Sequence, residues 1–146
     1  MDLTLEQAST ICDAAMGWAR ANKTLPMAVA VLDAGGHLMA FKRDERCGIL
    51  RPQIAEGKAW ACLGMGYGGR EMSRRAAKMP TFHIQLAVAS EGRVIAPLGG
   101  VLIRTKEGKI LGAVGVTGDK EEVDNACGVE GIKAAGLVPD DGGTKD

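Results

Sequence analysis

The chain has 146 residues, of which 46% are hydrophobic and 25% charged, and this length and composition are typical of one globular domain with a buried core. Lysine plus arginine equals aspartate plus glutamate at 18 each, and aromatic residues make up 3%, so a basic or base-stacking surface for nucleic acid is excluded. No stretch approaches the ~18 consecutive apolar residues of a membrane span, and MDLTLEQAST lacks the pattern of a signal peptide, so we expect no membrane partner.

The first predicted element is a helix that begins after Thr4. The segment from Thr4 to Gln7 has the form of a capping box, in which each of these side chains satisfies a backbone N–H group at the helix start. Apolar residues then recur at helical spacing: Leu5, Ala8, Cys12, Ala15 and Ala19. We expect the helix to end near Asn22, before Pro26 opens the first strand.

Residues 26–43, PMAVAVLDAGGHLMAFKR, predict a β-hairpin around which the rest of the chain is organised. The run 27–32 is almost continuously apolar, which is typical of a central strand covered on both faces. Asp33 can accept hydrogen bonds from the turn that follows, and Gly35 or Gly36 can adopt the positive φ that such a turn needs.

Three helices are predicted between this hairpin and the later strands. Pro52 suits the first turn of a helix that runs to about residue 65. EMSRRAAKM forms the second helix, and TFHIQLAVA, whose pattern is ambiguous between helix and strand, is interpreted as the third. Lys58 shares one face of the first of these helices with apolar residues, so it either extends from the helix edge or is held at a site.

Three further strands are expected at 93–97, 101–104 and 109–118. The glycines of the last of these imply that another backbone or side chain packs closely against it. Strands that are joined by hairpins form an antiparallel sheet, with the helices gathered over it. The sequence therefore predicts an α+β fold.

A last helix follows the final strand. Asp119 can cap it, with Glu122 at the capping-box position. Residues 1–138 are interpreted as a single domain. Residues 139–146, PDDGGTKD, lack apolar content and are predicted to be a disordered tail.

Five segments resemble one family, in the order in which that family has them. They are VAVLDAGGHLMAFKRDE, AEGKAWACLGMG, PLGGVLIR, GKILGAVGVTG and EEVDNACGVEGI, and they cover most of residues 3–136. On these segments the chain resembles the haem-binding or haem-degrading proteins related to GlcG and HbpS, also found as the C-terminal domain of PduO-type proteins. The resemblance implies a profilin-like fold with a five-stranded antiparallel sheet flanked by helices, assembly into homo-oligomers, and haem as the cofactor.

His37 and His83 are the only histidines, and a haem iron needs a neutral imidazole directed into an apolar slot. Each also has a plain alternative: His37 follows a glycine turn and would be a solvated surface residue, while His83 would have a packing role. No C-x-x-C-H is present, so covalent haem attachment is excluded. The four cysteines form no C-x-x-C pair, so we expect no metal site, and we expect reduced thiols in the cytoplasm.

Lys58 falls where the family has its lysine, so the resemblance makes it a candidate for binding a ligand. Its ammonium could hold a carboxylate or a haem propionate as a point charge. Alternatively, it is a structural lysine neutralised by a neighbouring acid such as Glu56. Both interpretations stay open.

Two glycine-containing segments are the other candidates for a ligand site, Gly99-Gly100 and Thr117-Gly118-Asp119. Glycine lets backbone N–H groups face a ligand, and the start of a helix favours an anion. A pair of glycines is also a common device for a bulge in a sheet.

Two functions are consistent with this pattern. The first, implied by the resemblance, is a small cytoplasmic protein that binds haem or a similar anionic ligand in a pocket of an oligomer. The second is a cofactor-free lyase or isomerase that acts on a small carboxylate metabolite in a catabolic pathway, with Lys58 and His37 as catalytic residues. A cavity lined by both of these residues would favour the second function, and the sequence leaves open whether the protein is an enzyme.

Overall fold

The computed structural model describes residues 1–95 and 98–143. The helices in these residues are α1 (Leu5–Ala21), α2 (Arg51–Met65), α3 (Gly69–Lys78), α4 (Pro80–Ala89) and α5 (Glu121–Ala134). The strands are β1 (Ala28–Asp33), β2 (Leu38–Arg43), β3 (Gly100–Arg104), β4 (Ile110–Thr117) and β5 (Val138–Asp140). The α+β class with a five-stranded antiparallel sheet is therefore confirmed. No helix within these residues is both long and apolar enough to cross a membrane.

The sheet has the order β2-β1-β4-β3-β5, and every neighbouring pair is antiparallel. β1 lies inside the sheet and its apolar run is buried, as the sequence predicts. At the end of β1, Asp33 Oδ1 accepts hydrogen bonds from the backbone N–H groups of Gly35 and His37, and Gly36 has a φ of 83°. The predicted hairpin and its turn chemistry are confirmed.

Alternate strand residues face two different helical layers, because side chains along a strand point to opposite faces in turn. One set packs with α1 and α5: Val29, Val31, Val114 and Val116. The other set faces α2: Ala28, Ala30, Leu32 and Ala113. α1 has the predicted capping box at Thr4, and Asn22 is its C-cap.

β4 lies directly against α2 because Gly115 has no side chain. A Cβ atom at Gly115 would overlap the carbonyl oxygen of Ala55 and would lie 2.9 Å from the backbone nitrogen of Ala59. The expectation that another backbone packs closely against the glycines of this strand is confirmed. The same approach brings the Lys58 side chain to the end of β4.

One of the predicted strands is absent where the structure describes it. The sequence predicts a strand at 93–97, but residues 93–95 form none, and residues 96 and 97 lie outside the described residues. The backbone N–H of Ile95 instead donates to the carbonyl oxygen of Gly57 at 3.3 Å. The segment therefore runs along α2 rather than along a neighbouring strand.

β5 lies where the sequence predicts the start of a disordered tail. Its Asp140 pairs with Leu102 of β3, and Asp140 Oδ2 accepts a hydrogen bond from Arg104 Nε at 2.7 Å. The expectation of disorder is therefore wrong for residues 139 and 140, because backbone pairing and an ion pair hold a segment that has little apolar content. Residues 144–146 lie outside the described residues. The single domain over residues 1–138 stays a prediction.

The three helices predicted after the hairpin are confirmed as α2, α3 and α4. α2 has Pro52 in its first turn, and TFHIQLAVA is helical rather than extended. α4 has His83 as its single buried residue, fewer than any other helix of the described chain, and the rest of α4 is exposed or half-buried. That exposure makes α4 important for the site.

Candidate functional site

Lys58 lies on the buried face of α2, and 3% of the residue is exposed. Its Nζ donates to the carbonyl oxygen of Val116 at 2.8 Å and to Asp124 Oδ2 at 3.3 Å. Burial lowers the pKa of the Lys58 ammonium, although the charge of Asp124 opposes that shift. The acid that neutralises this lysine is therefore Asp124 of α5 and not Glu56, and a dissolved ligand has almost no access to it.

Asp124 uses both of its carboxylate oxygens inside the protein. Oδ2 faces Lys58, and Oδ1 accepts the backbone N–H of Asp119 at 2.9 Å. Burial raises the pKa of this carboxyl, against the opposing effects of the Asp119 hydrogen bond and the Lys58 charge. The carboxylate therefore connects α2, the end of β4 and the start of α5.

The predicted capping of α5 by Asp119 and Glu122 is wrong. The helix begins at Glu121 with Lys120 as its N-cap, and no side chain makes a cap hydrogen bond. Asp119 Oδ2 instead accepts the backbone N–H of Leu25 at 2.9 Å. Asp119 Oδ1 accepts the backbone N–H of Lys120 at 2.7 Å, so the carboxylate connects the segment between α1 and β1 to the residue before α5 without capping the first turn.

Gly99 and Gly100 pack against Lys58. A Cβ atom at Gly99, whose φ is 126°, would lie 2.8 Å from Lys58 Nζ, and one at Gly100 would lie 2.6 Å from the Lys58 carbonyl oxygen. Glycine is therefore needed here because α2 and its lysine occupy the space. The role of these two residues toward a ligand stays a prediction.

Thr117 and Gly118 complete the same corner of the fold. The Thr117 hydroxyl is buried and accepts a hydrogen bond from Arg51 Nη1 at 2.6 Å. A Cβ atom at Gly118 would overlap the carbonyl oxygen of Pro26. The structure thus brings together all the predicted site residues except the two histidines, as a group that we term the Lys58 cluster: Lys58, Gly99, Gly100, Thr117, Gly118 and Asp119.

His37 lies at the other end of β1 and β4 from the Lys58 cluster. It follows Asp33, which pairs with Gly112 of β4, whereas Lys58 contacts Val116. Its side chain is 78% exposed, and its Nδ1 is 3.0 Å from Asp33 Oδ1. His37 is therefore a solvated residue of the hairpin turn, and it does not share a cavity with Lys58.

His83 is buried, with 7% of the residue exposed. Its Nδ1 lies 3.0 Å from the carbonyl oxygen of Met79, one turn earlier on α4. A carbonyl oxygen only accepts, so Nδ1 carries the proton and Nε2 carries the free electron pair. Among the described residues Nε2 is buried without a hydrogen-bond partner. The imidazole therefore holds an acceptor that nothing in the described protein uses.

His83 lines a groove of about 410 Å³ between α3, α4 and the segment that follows α4. The other lining residues are apolar: Ala76, Pro80, Ile84, Ala87, Val94 and Ile95. The groove is wide open to solvent, so a ligand in it would stay partly exposed in a single copy of the chain. We term it the His83 groove.

Two polar residues near these sites were missed by the sequence reasoning. Asp124 gives no sequence signal, because its partner Lys58 lies on a distant helix. Arg93, whose guanidinium lies 4.1 Å over the ring of Trp60, falls in a segment predicted to be a strand. Within the described part of the chain, no group of three or more His, Cys, Asp or Glu residues could hold a metal ion. The four cysteines are free and buried.

The chain is similar to one family and to several solved structures. A model of the family described as "Haem degrading protein HbpS-like" matches residues 3–133. The crystal structure of a PduOC–haem complex is 22% identical, with a TM-score of 0.83 over 94% of this chain and 97% of that chain. The Klebsiella pneumoniae protein ORFY is 23% identical, with a TM-score of 0.80 over 91% of this chain and 90% of that chain.

A crystal structure of HbpS is also 23% identical, with a TM-score of 0.76 over 91% of this chain and 89% of that chain. At these identities the solved structures show the fold alone. A comparison with curated proteins found no match.

Proposed function

The chain belongs to the family of HbpS-like haem-degrading proteins, and we propose that it binds haem, or a similar planar anionic ring, in the His83 groove. The family and the PduOC–haem complex support haem as the ligand. The His83 groove is the place in this chain that suits haem, because it combines an apolar lining with a single unused nitrogen.

The observation that carries the proposal is the unpartnered Nε2 of His83. A buried polar group that lacks a partner costs about 1–3 kcal/mol, so a ligand that takes this electron pair would offset that cost. Haem iron accepts an imidazole nitrogen as its axial ligand. A ligating imidazole commonly donates its other N–H to a backbone carbonyl, as Nδ1 of His83 does to Met79. The residue types present therefore match the group, and because Nε2 is buried, a ligand would reach it only after α4 or the segment that follows it moves.

The apolar lining supports the same ligand, because covering the porphyrin faces removes apolar surface from water at about 25 cal/mol per Å². Bound haem would supply an iron centre for ligand binding or electron transfer. His83 would hold the iron, and Ile84 and Ile95 would exclude water from the ring. Lys58 is a poor partner for the propionates, since it is buried and paired with Asp124.

Titration of the purified protein with haem, followed by absorbance, tests this function. We expect a saturable shift of the Soret band. His83→Ala should weaken binding at least tenfold and alter the spectrum, because the imidazole that would hold the iron is removed. His37→Ala is the matched control and should leave both unchanged, since that imidazole is exposed at the hairpin. Absorbance that rises without saturation or shift would contradict haem binding.

We also propose that α4 forms the contact between copies in a homo-oligomer. Its apolar side chains Phe82, Ile84 and Val88 are exposed, and Ile84 and Val88 lie one turn apart on the same helix face, as residues of an interface would. A second copy over α4 would turn the His83 groove into a closed pocket. The free, buried cysteines support a reducing, cytoplasmic setting for this assembly.

The lyase or isomerase hypothesis lacks the geometry that would favour it. It needs Lys58 and His37 at one cavity, whereas the first is buried against Asp124 and the second is exposed at the other end of the sheet. The ligand-binding function is therefore the one that the geometry supports best.

A further inference from the structure

A second cavity, of about 170 Å³, lies apart from the His83 groove. It is bounded by α2, by the turn between β1 and β2, and by the segment that follows α4. The residues that matter for its chemistry are Glu56, Trp60, Glu91 and Arg93. Its volume suits a molecule smaller than a typical drug-sized ligand.

The position of Arg93 in this cavity is set by close packing on α2. A Cβ atom at Gly57 would overlap the Ile95 side chain and would lie 2.7 Å from the carbonyl oxygen of Arg93. The absence of that atom lets residues 93–95 lie directly on the helix. The Arg93 guanidinium then stacks 4.1 Å over the ring of Trp60.

The stacked guanidinium and the indole line the cavity with N–H donors, and Arg93 is exposed to solvent whereas Trp60 is half-buried. Among the described residues, neither the Arg93 side chain nor the Trp60 N–H makes a hydrogen bond, and Arg93 forms no ion pair. Stacking uses the face of the guanidinium and leaves its N–H edges free, and these edges match a carboxylate in a two-point arrangement. The cavity is therefore equipped to hold a carboxylate group.

Two carboxylate side chains, those of Glu56 and Glu91, line the same cavity. In the described residues, neither Glu56 nor Glu91 forms an ion pair, and both are exposed to solvent. A ligand that carries only a carboxylate would meet two like charges here. A ligand that also carries an ammonium group would match both signs of charge in the cavity.

We propose that this cavity binds a small zwitterion of the α-amino acid class. The ligand carboxylate lies against Arg93 and the indole N–H of Trp60, and its ammonium lies against Glu91 and Glu56. This site is independent of haem binding and of the His83 groove.

The test is an NMR titration of the indole N–H signals of the full chain without haem. The protein has two tryptophans, so Trp60→Phe assigns the Trp60 signal by its disappearance. The probes are glycine, L-alanine, L-serine, L-valine and L-leucine, with 4-methylpentanoate and 3-methylbutylamine as the leucine analogues that lack one charge each. We expect at least one amino acid to shift the Trp60 signal saturably below about 10 mM.

Arg93→Gln should weaken that binding at least tenfold. Glu91→Gln should weaken the binding of the amino acid but not the binding of 4-methylpentanoate. Arg46→Gln, an exposed arginine elsewhere, is the control and should have no effect. If no amino acid gives a saturable shift, or if 4-methylpentanoate binds as tightly as L-leucine, the proposal is overturned. An unchanged affinity in Arg93→Gln would overturn it as well.

Discussion

Lys58 and Asp124 form an ion pair inside the protein, with Nζ 3.3 Å from Oδ2 and the two residues 3% and 2% exposed. The pair joins α2 to α5, which lie on opposite faces of the sheet. Removing both charges from water is costly, and the attraction between them offsets that cost only while both are present. We infer that Lys58 stabilises the fold through this pair, and its role toward a ligand stays a prediction.

Lys58→Met should destabilise the protein by about 3–5 kcal/mol, because it leaves the Asp124 carboxylate buried without a counter-charge. Urea denaturation measures this change as a lower free energy of unfolding. Lys133→Met is the control, since the Lys133–Glu130 pair is exposed and should cost less than about 1 kcal/mol. Lys58→Met/Asp124→Leu should recover part of the loss. Equal effects of Lys58→Met and Lys133→Met would contradict a buried pair.

Gly100→Ala should destabilise the protein by about 1–3 kcal/mol, because the added methyl group would meet the Lys58 carbonyl oxygen and Cys62 Sγ at 2.6 Å each. Gly17→Ala is the matched control. Gly17 lies inside α1 with nothing within 4 Å of an added Cβ atom, so alanine should stabilise the protein there by about 0.5–1 kcal/mol. Thermal unfolding of the two variants should show midpoints shifted in opposite directions.

Asp119 should contribute to the acid sensitivity of the fold. Hydrogen bonds from the backbone N–H groups of Leu25 and Lys120 lower the pKa of its carboxyl below the ordinary value of 3.8. A carboxyl with a lowered folded-state pKa contributes stability that is complete above pH 3.8 and is lost as the pH falls through the folded-state pKa. Asp119→Asn should therefore be less stable than the parent at pH 7, with a gap that narrows below pH 3.8 in urea denaturation. A gap of constant size across this range would contradict the assignment.

Val88→Asp should reduce the mass of the proposed oligomer measured by light scattering, because it places a charge on the apolar surface of α4. Val88 is 76% exposed and does not line the His83 groove. Gln53→Asp adds the same charge at an exposed polar position of α2 and should leave the mass unchanged. An unchanged mass in both variants would exclude α4 as the contact between copies.

Local chemistry explains which parts of the fold could be predicted from the sequence. The capping box at Thr4 and the hairpin turn at Asp33 depend on residues a few positions apart, and both are confirmed. β5 could not be predicted, because its order depends on Arg104 and on the edge of β3. The prediction for the start of α5 was wrong for a similar reason, since Asp119 Oδ2 accepts a hydrogen bond from the backbone of Leu25, which is distant in the sequence.

For the candidate site too, the sequence predicted some features, and others depend on contacts between distant residues. The resemblance and the glycines identified the residues of the Lys58 cluster. Only the fold shows that the Lys58 ammonium is paired with the Asp124 carboxylate. The sequence named His83 without indicating which of its nitrogens is free. That distinction depends on the helical backbone at Met79, where a carbonyl takes the Nδ1 proton.

The strand order also constrains how the protein is made. Val29 of β1 pairs with Val116 of β4, and β2, three helices and β3 lie between them in the chain. During synthesis, the first hairpin therefore leaves the ribosome long before its second partner strand exists. One edge of β1 stays open until β4 has emerged, and open strand edges invite pairing with other chains. Newly made chains that stall before residue 110 should be the ones most dependent on chaperones.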